Sequence, residues 1–111
     1  MEELYKKNCV ACDGKTPAFE INEIHKYAKK IDGWSVKNNQ NKNFYLEKEF
    51  KFDNFLKSQK FVEKISVIAE REGHHPDISF GWGYAKIKIY THAIKGLAES
   101  DFILAAKVDQ I

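Results

Sequence analysis

Three of the four histidines in this chain fall within one stretch. Glu70-Arg71-Glu72-Gly73-His74-His75-Pro76 holds an adjacent pair, Thr91-His92 follows, and Asp101 stands nine positions later, ahead of an apolar run. No serine or cysteine nucleophile motif lies beside them. Imidazole gives or takes a proton near neutrality, with an unperturbed pKa of about 6.5. Several imidazoles framed by carboxylates therefore point to proton-transfer chemistry. A shared metal ion is not expected, because adjacent side chains of an extended segment face opposite ways. The plain alternatives are a hydrogen-bonded junction for the histidine pair, a solvated helix position for Glu70, and a helix-terminus carboxylate for Asp101.

The elements that must position these residues follow from hydrophobic spacing. Ile21, Ile24, Tyr27 and Ala28 recur at helical intervals over 19–30, ended by Asp32-Gly33. Residues 34–37 read as a short strand and 38–43 as a polar hairpin loop. Phe44 to Phe50 alternates, with Phe44, Leu46 and Phe50 on one side, as in a half-buried strand. Asp53 is the expected N-cap of a second helix carrying Phe55, Phe61, Val62, Ile65, Ile68 and Ala69. Gly73 should end that helix, and Pro76 should hold His75 extended.

Ile78, Phe80 and Trp82 then alternate towards the core, and Ala85, Ile87 and Ile89 alternate against Lys86, Lys88 and Tyr90. This is a hairpin with one buried face and a lysine-bearing open one. A last helix spans 98–110, with Phe102, Ile103, Ala106 and Ile111 inward. The predicted fold class is α+β, in the order α-β-β-α-β-β-α. Four antiparallel strands carry three helices on one face. His74 and His75 precede one hairpin strand and His92 follows its partner, so all three meet at one sheet edge. Asp101 enters on the last helix and is expected to pair with His92.

The 111 residues suffice for one domain, read as an irregular arm over 1–18 and a folded unit over 19–111. No apolar run approaches the roughly 20 residues that cross a bilayer. The first 18 lack the apolar core of a signal peptide, so a cytoplasmic location is expected. With 18 basic and 16 acidic residues the net charge is +2, and Arg71 is the only arginine. Neither a membrane surface nor specific nucleic-acid binding is expected from so balanced a chain. Cys9 and Cys12 make one Cys-x-x-Cys pair, half a zinc site at most and placed before any periodic segment. The second helix spreads apolar side chains beyond one stripe, which suggests a subunit interface.

The set Glu-x-x-x-His-His-Pro, Trp82, Thr-His and a later aspartate, with Gly33-Trp34 after the first helix, resembles the pterin-4a-carbinolamine dehydratases over residues 19–111. The arm ending near Pro17 also looks like N-terminal extensions of microbial members. The resemblance implies removal of water from a 4a-hydroxytetrahydropterin to give quinonoid dihydropterin in tetrahydrobiopterin recycling, with no metal or organic cofactor. It makes His74, His75 and His92 the active-site histidines. Pro76 and Thr91 line the pterin pocket with them, and Glu70 and Asp101 support them. His74 and His92 would transfer the protons while His75 positions the pterin. Gly73, Ile78 and Ala93 depart from residues carried by other members. Dimers or dimers of dimers are the implied assemblies. The alternative function is a protein-binding or assembly module, since some relatives double as transcriptional cofactors or assembly factors.

Overall fold

Two alternating segments set the architecture. Leu46 of β2 (Phe44–Lys51) and Ala85, Ile87 and Ile89 of β4 (Tyr84–Ile89) are buried, whereas Glu49, Lys86 and Tyr84 face outwards. Period-two alternation of this kind buries one sheet face and solvates the other. The structure is a computed structural model that describes residues 3–9, 17–41 and 43–111. In it β1 (Ser35–Asn38), β2, β4 and β3 (Asp77–Gly81) form one antiparallel sheet in that spatial order. Helices α1 (Ile21–Ala28), α2 (Phe55–Glu72) and α3 (Glu99–Asp109) lie on its apolar face. The expected α+β order and four-stranded sheet are therefore the observed ones. Among the described residues, no helix is long and apolar enough to cross a membrane.

Helix α3 is buried nearly all round, from Ser100 to Ala106 and again at Val108. The sheet lies on one side, α1 and α2 on others, and a 3-10 turn at Leu4–Lys6 covers it further. Leu4 joins the common core, and the Tyr5 carbonyl accepts from Lys107 Nζ at 2.9 Å. Leu104, Ala105 and Val108 thus join Phe102, Ile103 and Ala106 inside. Ile111, expected inward, lies past the helix end and is exposed.

Two further expectations are corrected. The N-cap of α2 is Asn54, not Asp53: its Oδ1 accepts from Lys57 N at 2.9 Å, three residues on. That is the spacing a cap requires, and Asp53 instead pairs with Lys57 Nζ. Trp82, expected in the core, is 69% exposed. It occupies the two-residue turn between β3 and β4, where strand alternation no longer assigns a face. Cys9 donates its N–H to Glu72 Oε1 and its thiol to the Ser100 carbonyl. Cys12 lies outside the described residues.

Candidate active site

The C-terminus of α2 delivers the first two histidines. Gly73 takes a left-handed conformation (φ 66°), and the N–H groups of Gly73 and His74 both reach the Ala69 carbonyl. A β-carbon favours that conformation poorly, which is why glycine so often ends a helix this way. The chain then extends through His75 and Pro76 into β3. Backbone alternation separates the pair: His74 is buried, His75 exposed.

His74 turns inward onto α3. Its Nε2 lies 2.7 Å from Asp101 Oδ1, and Asp101 is 0% exposed. The other carboxylate oxygen, Oδ2, accepts from Thr91 Oγ1 and from the Ala98 N–H, both at 2.8 Å. Asp101 sits at the third position of α3, where a carboxylate reaches back to the N-cap amide and meets the positive end of the helix dipole. An ionised carboxylate only accepts hydrogen bonds. Its three partners must therefore all donate, which puts a proton on His74 Nε2 and leaves the lone pair of the neutral ring on Nδ1. The expectation that Asp101 pairs with His92 is thus corrected. The first turn of α3 points under the α2–β3 junction, so the carboxylate meets the histidine that enters there.

Thr91 is held twice over. Its hydroxyl is given to Asp101, and its backbone pairs with Gly96, closing the loop that contains His92. His92 begins a 3-10 turn (His92–Ile94) and is exposed, its ring 4.2 Å from that of Tyr90. His75 Nε2 meets Glu70 Oε1 at 2.9 Å across the surface. Deeper in the same motif, the Cys9 N–H and Arg71 hold the Glu72 carboxyl below the ordinary carboxylate range, against the opposing effect of burial.

A hollow of about 220 Å³ is lined by Gly73, His74, His75, Tyr90, Thr91, His92 and Ala93. All three histidines predicted as catalytic, and Thr91, thus share one wall system. Pro76 lies outside this lining and acts on it through the backbone it straightens. Glu70 and Asp101 stand behind His75 and His74 respectively. Tyr90 was not singled out from sequence, although its alternation with Ile89 already placed it on the open face beside His92. A larger hollow of about 410 Å³, between Leu4, Ile31 and Ala106, contains no histidine. Among the described residues, no three or more His, Cys, Asp or Glu side chains are grouped to hold a metal ion.

The chain is similar to known proteins along nearly its whole length. Residues 17–111 match the model of the Pterin 4 alpha carbinolamine dehydratase family. A protein of Rubrobacter xylanophilus named "Putative pterin-4-alpha-carbinolamine dehydratase" is 43% identical over 111 residues, covering 100% of both chains. One of the same name from an Azoarcus species is also 43% identical, covering 100% of this chain and 92% of its own. The crystal structure of a transcriptional coactivator/pterin dehydratase from Brucella melitensis superposes with a TM-score of 0.74 at 22% identity, over 84% of this chain and 96% of that one. A pterin dehydratase-like protein described as a RuBisCO assembly factor in the alpha-carboxysome gives a TM-score of 0.59 at 25% identity, over 70% and 87%. With residues 17–111 matched and the Rubrobacter relative covered end to end, the chain belongs to the pterin-4a-carbinolamine dehydratase family.

Proposed function

We propose that this chain dehydrates a 4a-hydroxytetrahydropterin, in tetrahydrobiopterin recycling, by histidine acid–base catalysis. The observation that carries the reading is the buried Asp101–His74 pair, backed by Thr91 and opening on a hollow that His92 also lines. In the reaction the C4a–O bond breaks and the hydroxyl leaves as water after taking a proton. A ring N–H gives up its proton, and its electron pair forms the new double bond to C4a. His74, with its Nδ1 lone pair free and Asp101 to stabilise the imidazolium, is assigned the base. His92, exposed and packed on Tyr90, is assigned the acid, and His75 with Glu70 positions the pterin. Positioned acid–base groups contribute about 10²–10⁴-fold each. Stopped-flow dehydration of enzymatically generated 4a-hydroxytetrahydropterin should therefore slow by that order in His74→Ala and in His92→Ala. Wild-type protein that is no faster than the uncatalysed reaction would overturn the assignment.

A second reading, a protein-binding or self-assembling module, draws on one further observation. Phe55, Phe80 and Trp82 stand exposed together where α2 begins and the β3–β4 hairpin turns, with the Phe55 and Phe80 rings 5.6 Å apart. Such a patch suits a homodimer or homotetramer contact and is compatible with catalysis at the opposite end of the hairpin.

A further inference from the structure

A second hollow, of about 350 Å³, adjoins the first on the open face of the sheet, and the two share Tyr90 and His92 as a common wall. Its chemistry differs. Lys88 and Lys95 line it, with Asn41, Asn43 and Tyr45, and among the described residues no aspartate or glutamate does. Lys88 is half-buried, its Nζ 4.3 Å from the Tyr45 ring centre and 5.5 Å from that of Tyr90. Glu47 and Asp77 face Lys88 in the strand ladder, but Glu47 is taken by Lys37. Among the described residues no carboxylate pairs with Lys88 or with Lys95. Lys95 has a left-handed backbone (φ 53°), unlike any other described residue that is not glycine. A side chain held at such a position is a recurrent mark of functional loops.

Size supports the same reading. Small-molecule sites usually occupy roughly 300–1,000 Å³. The histidine hollow alone is smaller than that, and the two together are not. A flat ring between His74 and His92 would extend a substituent past Tyr90 towards two ammonium groups and the side-chain amides of the β1–β2 loop.

We propose that the Lys88–Lys95 hollow is a subsite for an anionic substituent, so that the preferred substrate is a tetrahydropterin carrying a phosphate or carboxylate on its side chain. This rests on the dehydratase reading above. It goes further in naming the substrate class and the residues that select it.

The test compares 4a-hydroxy derivatives of 6-hydroxymethyltetrahydropterin, its phosphate monoester and the 6-carboxylate in stopped-flow dehydration. Two partly exposed charge pairs are worth about tenfold in kcat/KM. Wild type should favour one anionic substrate over the neutral one by that factor, and whichever leads identifies the group. The preference should shrink between 20 and 300 mM KCl and fall below threefold in Lys88→Met and in Lys95→Gly. The glycine variant suits the left-handed backbone, so its fold is not at risk. Equal kcat/KM for all three substrates would refute the subsite and leave the dehydratase reading standing. If no pterin is turned over, fluorescence titration with oxidised 6-hydroxymethylpterin and its phosphate decides. Tighter binding of the phosphate, lost in both variants, supports the subsite; equal affinities overturn it.

Discussion

Replacing Asp101 by asparagine changes one atom type in the most enclosed part of the site, and the consequences can be worked out from three contacts. In the wild type Oδ2 accepts from Ala98 N–H and Thr91 Oγ1, and Oδ1 accepts from His74 Nε2. An asparagine must place its carbonyl on one side and its NH2 on the other. With NH2 towards Ala98, two buried donors would face each other, at about 1–3 kcal/mol for the unsatisfied group. The amide should therefore keep its carbonyl on Ala98 and Thr91 and present N–H to His74. His74 Nε2 must then accept, which moves the ring proton to Nδ1, the nitrogen left to accept the substrate proton. Loss of a general base lowers kcat by about 10²–10⁴, or roughly 2.7–5.4 kcal/mol of barrier. Stability should change less, by about 0–2 kcal/mol, because weaker neutral hydrogen bonds are offset by no longer burying a charge.

The assay pairs stopped-flow kinetics with long-range proton–nitrogen correlation spectra of the His74 ring and a thermal melt. Asp101 acts through His74, so the tautomer and the pH profile are the readouts that a purely structural role would not move. Thr91→Val is the control. It removes one donor to the carboxylate but leaves the tautomer alone, and should slow dehydration less than tenfold. If Asp101→Asn keeps kcat within threefold of wild type while folded, the assignment of His74 as base is wrong.

The two left-handed positions should respond in opposite ways. Lys95→Gly relieves a backbone cost of about 1 kcal/mol and should raise Tm by about 2–6 °C, whereas Gly73→Ala should lower it comparably, although no side chain stands in the way. A shift of the opposite sign at either position would contradict the reasoning for that position. Burial, with Glu72 beside it, pushes the Cys9 thiol up to about 12. In a Cys12→Ser background, alkylation by iodoacetamide at pH 8 should therefore be about a thousandfold slower than for an ordinary exposed thiol, since only the thiolate reacts. It should recover in denaturant, and rapid labelling of the folded protein would show Cys9 to be accessible. Finally, sedimentation should find an oligomer that Phe55→Ser with Trp82→Ser dissociates; a wild-type monomer at micromolar concentration would remove that surface from any self-assembly.

Much of this molecule was legible without coordinates because its signals are local. Alternation over Phe44–Phe50 and Ala85–Ile89 assigned the two central strands, Gly73 marked the end of α2, and Pro76 the return to extended chain. Adjacency alone showed that His74 and His75 would part, one inward and one outward. Hairpin connectivity then brought His92 to the same end of the sheet. What failed had no local signal. Trp82 continued an alternating pattern but lies in the turn, and Asp53 and Asn54 differ as caps only by one residue of register. The buried flanks of α3 depend on Leu4, more than ninety residues away in sequence.

The site divides in the same way. Residue types and their spacing determined that three imidazoles and a helix-terminus carboxylate would gather at one sheet edge, because strand and turn geometry leaves few alternatives. Only the packing of α3 beneath the α2–β3 junction decided that Asp101 binds His74 rather than His92, and so which ring is tied to one tautomer. The choice depends on the approach of two distant segments to within a hydrogen bond, a long-range distance that no local pattern encodes.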